Sequence, residues 1–251
     1  MMKKVGALSA VFILCIVGWL IYPSADVPIL AYHQVSEADD IYSVTAAQFE
    51  EQMSYLKENG YTAIDLQQLF DSYEGKTTLP NKPVIITFDD GYEDNLLTAL
   101  PIMEKYHMRG TVFVITGAVG TTEYLSWSQI LEMRERHTEI GSHTVAHVAL
   151  SDVNATEQRN EIVKSKAVLE QHLGQPVKFL AYPYGQFSST TQGLLREAGY
   201  QGACAGIAGL NHAGVNAYAL KRINIPHPKY GLGEFRLRLL RANIYSKLRI
   251  K

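Results

Sequence analysis

Two adjacent carboxylates, Asp89 and Asp90, close the apolar run Val84-Ile85-Ile86 and are followed by Gly91-Tyr92. Further along, His143 and His147 stand four residues apart in Ser-His-Thr-Val-Ala-His. A third segment, Tyr182-Pro183-Tyr184-Gly185, also closes an apolar run. One carboxylate and two imidazoles form a ligand set suited to Zn²⁺ or a similar divalent ion, with a position left for water. The two imidazoles share a face if their segment turns helically. Adjacent carboxylates repel, and a cation that neutralises one explains why both can stand near one cavity. The other is then free to act as a base. Singly these signals are weak, because Asp-Gly is a common turn dipeptide and histidines often cap or pack. Their joint occurrence after apolar runs reads as metal-dependent hydrolysis.

Elements that could carry these groups alternate along the chain. Strands are expected at Ile29–Tyr32, Val84–Phe88, Thr111–Ile115, Glu139–Ser142, Phe179–Tyr182, Ala203–Ala205 and Lys221–Ile225. Helices are expected at Ala46–Asn59, Asp65–Tyr73, Asn95–Tyr106, Ser128–Arg136, Thr156–His172 and Thr191–Ala198. Thr45 and Gln48 fit a capping box at the first helix, and Gly60 fits the position just beyond its end. Strands separated by helices imply βα units and a mostly parallel α/β sheet, which about seven strands can close into a barrel. In such barrels chemistry gathers where strands end, and Asp89, His143 and Tyr182 all fall there.

Of 251 residues, 47% are hydrophobic and 19% charged, enough apolar material for one sizeable domain. A formal charge of −2 gives no pull toward nucleic acid, and a monomer is expected. Lys3 and Lys4 precede an uncharged stretch from Val5 to Tyr22, the pattern of an export segment. Residues 1–25 are therefore read as a signal-anchor or signal peptide, 26–228 as the barrel domain and 229–251 as a basic C-terminal helix. The expected location is outside the cell, anchored to the membrane or secreted. Cys15 and Cys204 lie far apart in different kinds of segment, so no disulfide is expected.

The Thr87-Phe88-Asp89-Asp90-Gly91, Ser142-to-His147 and Tyr182-to-Gly185 segments resemble the signature of the polysaccharide deacetylases, the NodB-homology or carbohydrate esterase 4 family. The resemblance runs from about Pro28 to about Pro226. It implies a distorted (β/α) barrel in which Asp90, His143 and His147 hold the metal, Zn²⁺ or an ion such as Co²⁺, and Asp89 is the general base. It also implies that the Tyr184 backbone N–H helps hold the developing oxyanion, and losing one such donor typically costs about 2.7–4 kcal/mol. Pro183 and Gly185 fit as rigid punctuation that aims this amide.

The leaving amine needs a proton. Most of the family takes it from a Leu-His motif near the C-terminus, which this chain lacks. Instead Ile29-Leu30-Ala31-Tyr32-His33 resembles the permuted branch that includes the poly-β-1,6-N-acetylglucosamine deacetylases of bacterial biofilms. That likeness implies His33 as general acid; a histidine merely hydrogen-bonded at a strand end is the plainer alternative. Many members carry an arginine where this chain has Ala181, and Arg222 on the last expected strand is the candidate substitute, against a simple surface ion pair. An Asp-Trp motif of the family has no match, and Trp127 is either a groove residue or a buried aromatic at a helix start.

The implied activity is removal of N-acetyl groups from N-acetylglucosamine units of a cell-surface or extracellular polysaccharide, the acetylated polymer being the partner. A non-catalytic glycan-binding module on the same fold is the alternative, and a hydrolase of small cyclic amides a third reading. Beyond Lys229 the tail carries Arg236, Arg238, Arg241, Lys247, Arg249 and Lys251 against Glu234, interleaved with leucines. Such a helix either lies on anionic lipid or wall polymer, or packs on the barrel with its arginines extended to solvent.

Overall fold

Period-two alternation in seven short strands divides the core into an inner and an outer layer. The computed structural model describes residues 24–249 together with 15, 18–20 and 22. The strands are β1 (Ile29–Tyr32), β3 (Pro83–Phe88), β4 (Thr111–Val114), β5 (Glu139–Ser142), β6 (Phe179–Ala181), β7 (Gly202–Ala208) and β8 (Leu220–Asn224). All pair in parallel, and β1 bonds both β3 and β8, which closes a seven-stranded barrel. A two-residue strand, β2 (Thr62–Ala63), adds to the start of β3 before β4 takes over that edge at Thr87. It is too short to show periodicity, and the sequence reading missed it.

Ile29, Ile85, Phe113, Phe179, Ala181, Cys204 and Leu220 point inward as one apolar cluster. Their neighbours Leu30, Tyr32, Val84, Ile86, Phe88 and Val112 point outward, under the helices. A barrel strand is buried on both faces, so these segments read as continuous apolar runs rather than alternating ones.

The surrounding helices are α1 (Ala46–Glu58), α2 (Leu66–Tyr73), α3 (Leu100–Lys105), α4 (Trp127–Glu135), α5 (Ala155–Leu173), α6 (Ser189–Glu197) and α7 (Gly231–Leu248). The Thr45–Gln48 capping box at α1 forms in both directions. The helix expected over Asn95–Tyr106 splits instead: a π-helical turn (Asn95–Ala99) precedes α3. Pro101 lacks the N–H that an α-helix would send back to Leu97, so the ladder widens before it.

Leu66 and Leu69 of α2 belong to the inner cluster and plug the barrel at the N-terminal ends of its strands. Glu139 secures the plug by accepting from the N–H groups of Leu66 (3.1 Å) and Gln67 (3.3 Å) and from the Thr111 hydroxyl (2.8 Å). The opposite end is left open for loops.

Cys204 is a buried, unpaired thiol and Cys15 is exposed and unpaired. Trp127 is half-buried, stacks on His172 with centroids 3.8 Å apart and packs against the core. The export reading falls mostly on residues outside those described; among the described residues, no helix is long and apolar enough to cross a membrane.

Candidate metal and catalytic site

Register places the chemistry at one level of the barrel mouth. Tyr32 pairs with Phe88, Val114 with Ser142, and Ala181 with Cys204. His33, Asp89, His143 and Tyr182 each follow their strand by one residue, so they rise together at the rim.

Asp90, His143 and His147 come together at the mouth. Ligand atoms of Asp90, His143 and His147 all lie within 4.8 Å of one another. The Nε2 atoms of both histidines stand 3.4 Å from the same oxygen, Asp90 Oδ1. His143 Nδ1 lies 2.8 Å from the Ala181 carbonyl, which can only accept, so Nδ1 carries the hydrogen. In the neutral ring, Nε2 then turns its lone pair toward Asp90 Oδ1, a buried atom with no hydrogen-bond partner. Acceptors that face one another across a small gap fit a bound cation. The donor chemistry, two imidazoles and a carboxylate, also matches a divalent ion of the zinc type.

His143 and His147 do not meet by helical spacing. The segment is a loop in which Thr144 (φ 67°) and His147 (φ 56°) are left-handed. Glu161 of α5 holds the bend, its Oε2 accepting from the N–H groups of Val145 (2.8 Å) and Ala146 (2.9 Å). Thr144 Oγ1 accepts from the His147 N–H (3.2 Å). Asp90 (φ 77°) and Tyr184 (φ 57°) are left-handed too. Each such residue costs on the order of 1–3 kcal/mol, so all three motif segments hold strain that the surrounding structure must impose.

Asp89 stays outside the ligand set. Both its oxygens accept from Arg222, at 2.7 Å from Nη1 and 2.7 Å from Nη2, and the pair is buried. Burial opposes ionisation of Asp89, but the charge and hydrogen bonds of the Arg222 guanidinium outweigh it and hold the carboxyl well below the usual carboxylate range. Arg222 is therefore an inward-facing partner of the catalytic candidate, not a surface ion pair. Inward positions on β8 and β3 flank β1, where Ala31 leaves room for the reach.

His33 sits beside Asp89, since β1 and β3 pair in register up to Tyr32 and Phe88. Asn95 Nδ2 donates to its carbonyl (2.9 Å), and its ring lies 4.9 Å from that of Tyr42. The π-turn thus positions the candidate acid. Tyr184 lies in a turn whose bonds run from Gly185 N–H to the Tyr182 carbonyl (2.8 Å) and from Gln186 N–H to the Pro183 carbonyl (3.3 Å); neither uses the Tyr184 N–H. Gly185 (φ 69°) allows the turn to lie on β7, where an added Cβ would meet Gly206 Cα at 2.3 Å. The Tyr184 ring is 4.7 Å from that of His147.

A cleft of about 490 Å³ opens beside Asp90 and His147. Tyr92 and Tyr124, whose rings stack at 4.9 Å, form part of its wall. Glu161, Asn95 and the tyrosine pair carried no local signal in the sequence, because each acts on a segment distant along the chain.

Comparison with known proteins agrees with this geometry. A polysaccharide deacetylase family model matches residues 76–203. A Bacillus subtilis protein, YxkH, named as a polysaccharide deacetylase, is 31% identical over 201 residues, covering 80% of this chain and 72% of that protein. The poly-β-1,6-N-acetyl-D-glucosamine N-deacetylase of Staphylococcus epidermidis is 29% identical over 201 residues, covering 68% of this chain and 69% of that one. Among solved structures, the Streptococcus pyogenes deacetylase PplD, in complex with acetate, superposes with a TM-score of 0.78 at 27% identity, covering 88% of this chain and 99% of that one. IcaB from Ammonifex degensii gives 0.78 at 27%, covering 87% and 98%. With its motifs, its closed seven-stranded barrel and these relatives in agreement, the chain belongs to the polysaccharide deacetylase family, hydrolases of carbon–nitrogen bonds other than peptide bonds.

Proposed function

We propose that this chain is a metal-dependent, exported deacetylase that removes N-acetyl groups from N-acetylglucosamine units of an extracellular polysaccharide. The observation that carries the reading is the convergence of Asp90, His143 and His147 on one point, with Asp89 beside them and held by Arg222. A zinc-type ion held by the three ligands would acidify a water and polarise the acetyl carbonyl.

The chain's own groups then divide the proton work. Arg222 keeps Asp89 ionised and fixed in orientation, and each Asp89 oxygen retains a lone pair beyond its bond to the guanidinium. Asp89 accepts the proton of the attacking water as its oxygen bonds to the acetyl carbon. The Tyr184 N–H, which neither bond of its turn uses, would serve the developing oxyanion. The carbon–nitrogen bond breaks as His33 gives a proton to the departing amine, leaving acetate and a free glucosamine unit. General acid–base help of this kind is worth about 10²–10⁴-fold.

The substrate reading is supported by the named activity of the staphylococcal relative and by the Tyr92–Tyr124 wall, on which a sugar face can stack. Export and a membrane tether rest on Lys3, Lys4 and the uncharged run from Val5 to Tyr22. The test is acetate release from β-1,6-linked and β-1,4-linked N-acetylglucosamine oligomers with Zn²⁺ or Co²⁺ supplied. Release from at least one, greater on the β-1,6-linked series, is expected; no release from either by metal-loaded protein refutes the reading.

A further inference from the structure

The outward side of α7 exposes large apolar residues among its arginines, where a surface helix is normally polar. Phe235, Leu239 and Ala242 face the barrel and are buried. Leu237 and Leu248 lie on the opposite side, 62% and 49% exposed. Ile244 shares that face by helical spacing, and Tyr245 borders it. A helix apolar on both sides is normally covered on both.

Three observations say what covers it. The stripe itself carries exposed Arg241, and it is flanked by Arg236 and Lys247 on one side and by Arg238 and Arg249 on the other. Of the basic side chains on α7, only Arg238 has an acidic partner among the described residues, Glu234 at 2.7 Å. Trp19 and Tyr22, 53% and 73% exposed, adjoin the last turns of the helix, and such aromatics favour the boundary between membrane and water. Their placement is built: Asn243 Nδ2 donates to the Tyr22 carbonyl (3.0 Å), and Lys247 donates to the Trp19 and Tyr22 carbonyls and lies 5.1 Å from the Trp19 ring centre. The uncharged run from Val5 therefore leads to this spot in the sequence. A second copy would bring the same cations face to face, which disfavours self-association.

We propose that the outward face of α7, with Trp19 and Tyr22, docks on an anionic lipid bilayer. This rests on the membrane-tether reading above and extends it to an orientation. α7 starts at the barrel mouth after β8 and ends at the opposite rim, where Ser246 bonds Asp26, a length of about 27 Å. A helix of that course lying flat in the headgroup region turns the barrel on its side. The mouth then opens along the membrane surface, toward polymer that lies close to it.

The test uses the full chain carrying Cys15→Ser, with nitroxide labels at Leu237→Cys or Leu248→Cys and a control label at Glu157→Cys on exposed α5. Cys204 is buried, and its thiol is pushed up to about 12 by that burial, so it does not compete for label. Protein is reconstituted in phosphatidylcholine vesicles with or without phosphatidylglycerol, and relaxation by oxygen is compared with relaxation by an aqueous nickel chelate. With phosphatidylglycerol present, positions 237 and 248 should favour oxygen several-fold over position 157, and Arg236→Glu with Arg241→Glu should remove most of that contrast. Protein that floats with vesicles while its α7 labels match position 157 overturns the docking and leaves the tether standing. Spin–spin broadening between α7 labels makes a second copy the occupant and also overturns it. Protein that does not float with vesicles overturns the tether and the docking together.

Discussion

Arg222 grips Asp89 through two 2.7 Å bonds from the far side of β1, although the two residues are 133 positions apart. Ala181, where the family resemblance leads one to expect an arginine, faces the same barrel interior. In this chain the guanidinium reaches the carboxylate from β8 instead. Interior positions of a narrow barrel are interchangeable in this sense, because every inward side chain reaches the axis.

Arg222→Met should leave Asp89 buried without a partner, a change that typically costs about 3–5 kcal/mol. Thermal unfolding and acetate release should both fall sharply. Ala181→Arg added to Arg222→Met should recover part of each loss. If Arg222→Met alone matches wild type in both assays, the pair does not orient the base.

His33 as proton donor makes a prediction about leaving groups. His33→Gln should slow acetamide hydrolysis by about 10²–10⁴-fold. An aryl acetate, whose phenolate leaves without a proton, should be nearly unaffected. Equal loss on both substrates would assign His33 a structural role.

Glu161 shapes the loop between the two histidine ligands without touching either ring. Glu161→Ala frees two N–H groups and should weaken metal binding by about 10–100-fold, as outer partners of metal sites commonly do. Calorimetric titration of the metal-free protein with Zn²⁺ measures this, and unchanged affinity would show that the bend holds itself.

Glu139, beneath the α2 plug, provides a pH dependence remote from the site. Burial, and then the Asp65 charge, push its carboxyl up from 4.5 to about 7. The folded chain therefore holds this proton more tightly than the unfolded one. Its contribution to stability is complete below pH of about 4.5 and is lost as pH rises through about 7, by up to about 3 kcal/mol. Glu139→Gln imitates the protonated form. Its melting temperature should gain on wild type from pH 5 to about 7 and level off above that, whereas parallel curves would mean that the carboxyl is not perturbed.

Strand positions were legible because buried parallel strands are short apolar runs bounded by turns, and Ile29–Tyr32 and Glu139–Ser142 match residue for residue. The convergence of Asp90, His143 and His147 was legible for a different reason: signals that are weak singly become informative when they occur together after apolar runs. Helical spacing was the wrong account of His143 and His147, since left-handed Thr144 cannot be read from residue type. Threonine is disfavoured there, and contacts from outside the segment, those of Glu161 on a distant helix among them, help hold the bend. The π-turn at Asn95 and the short β2 were hidden for local reasons: Pro101 widens the ladder one turn ahead of itself, and two residues show no periodicity.

The most direct test sets Asp89→Asn against Asp90→Asn, measuring bound metal per chain and acetate release in the same preparations. The account predicts that both variants lose activity, that Asp89→Asn keeps one ion per chain, and that Asp90→Asn loses it. Asp90→Asn that retains its ion and still releases acetate would contradict the assignment of the site.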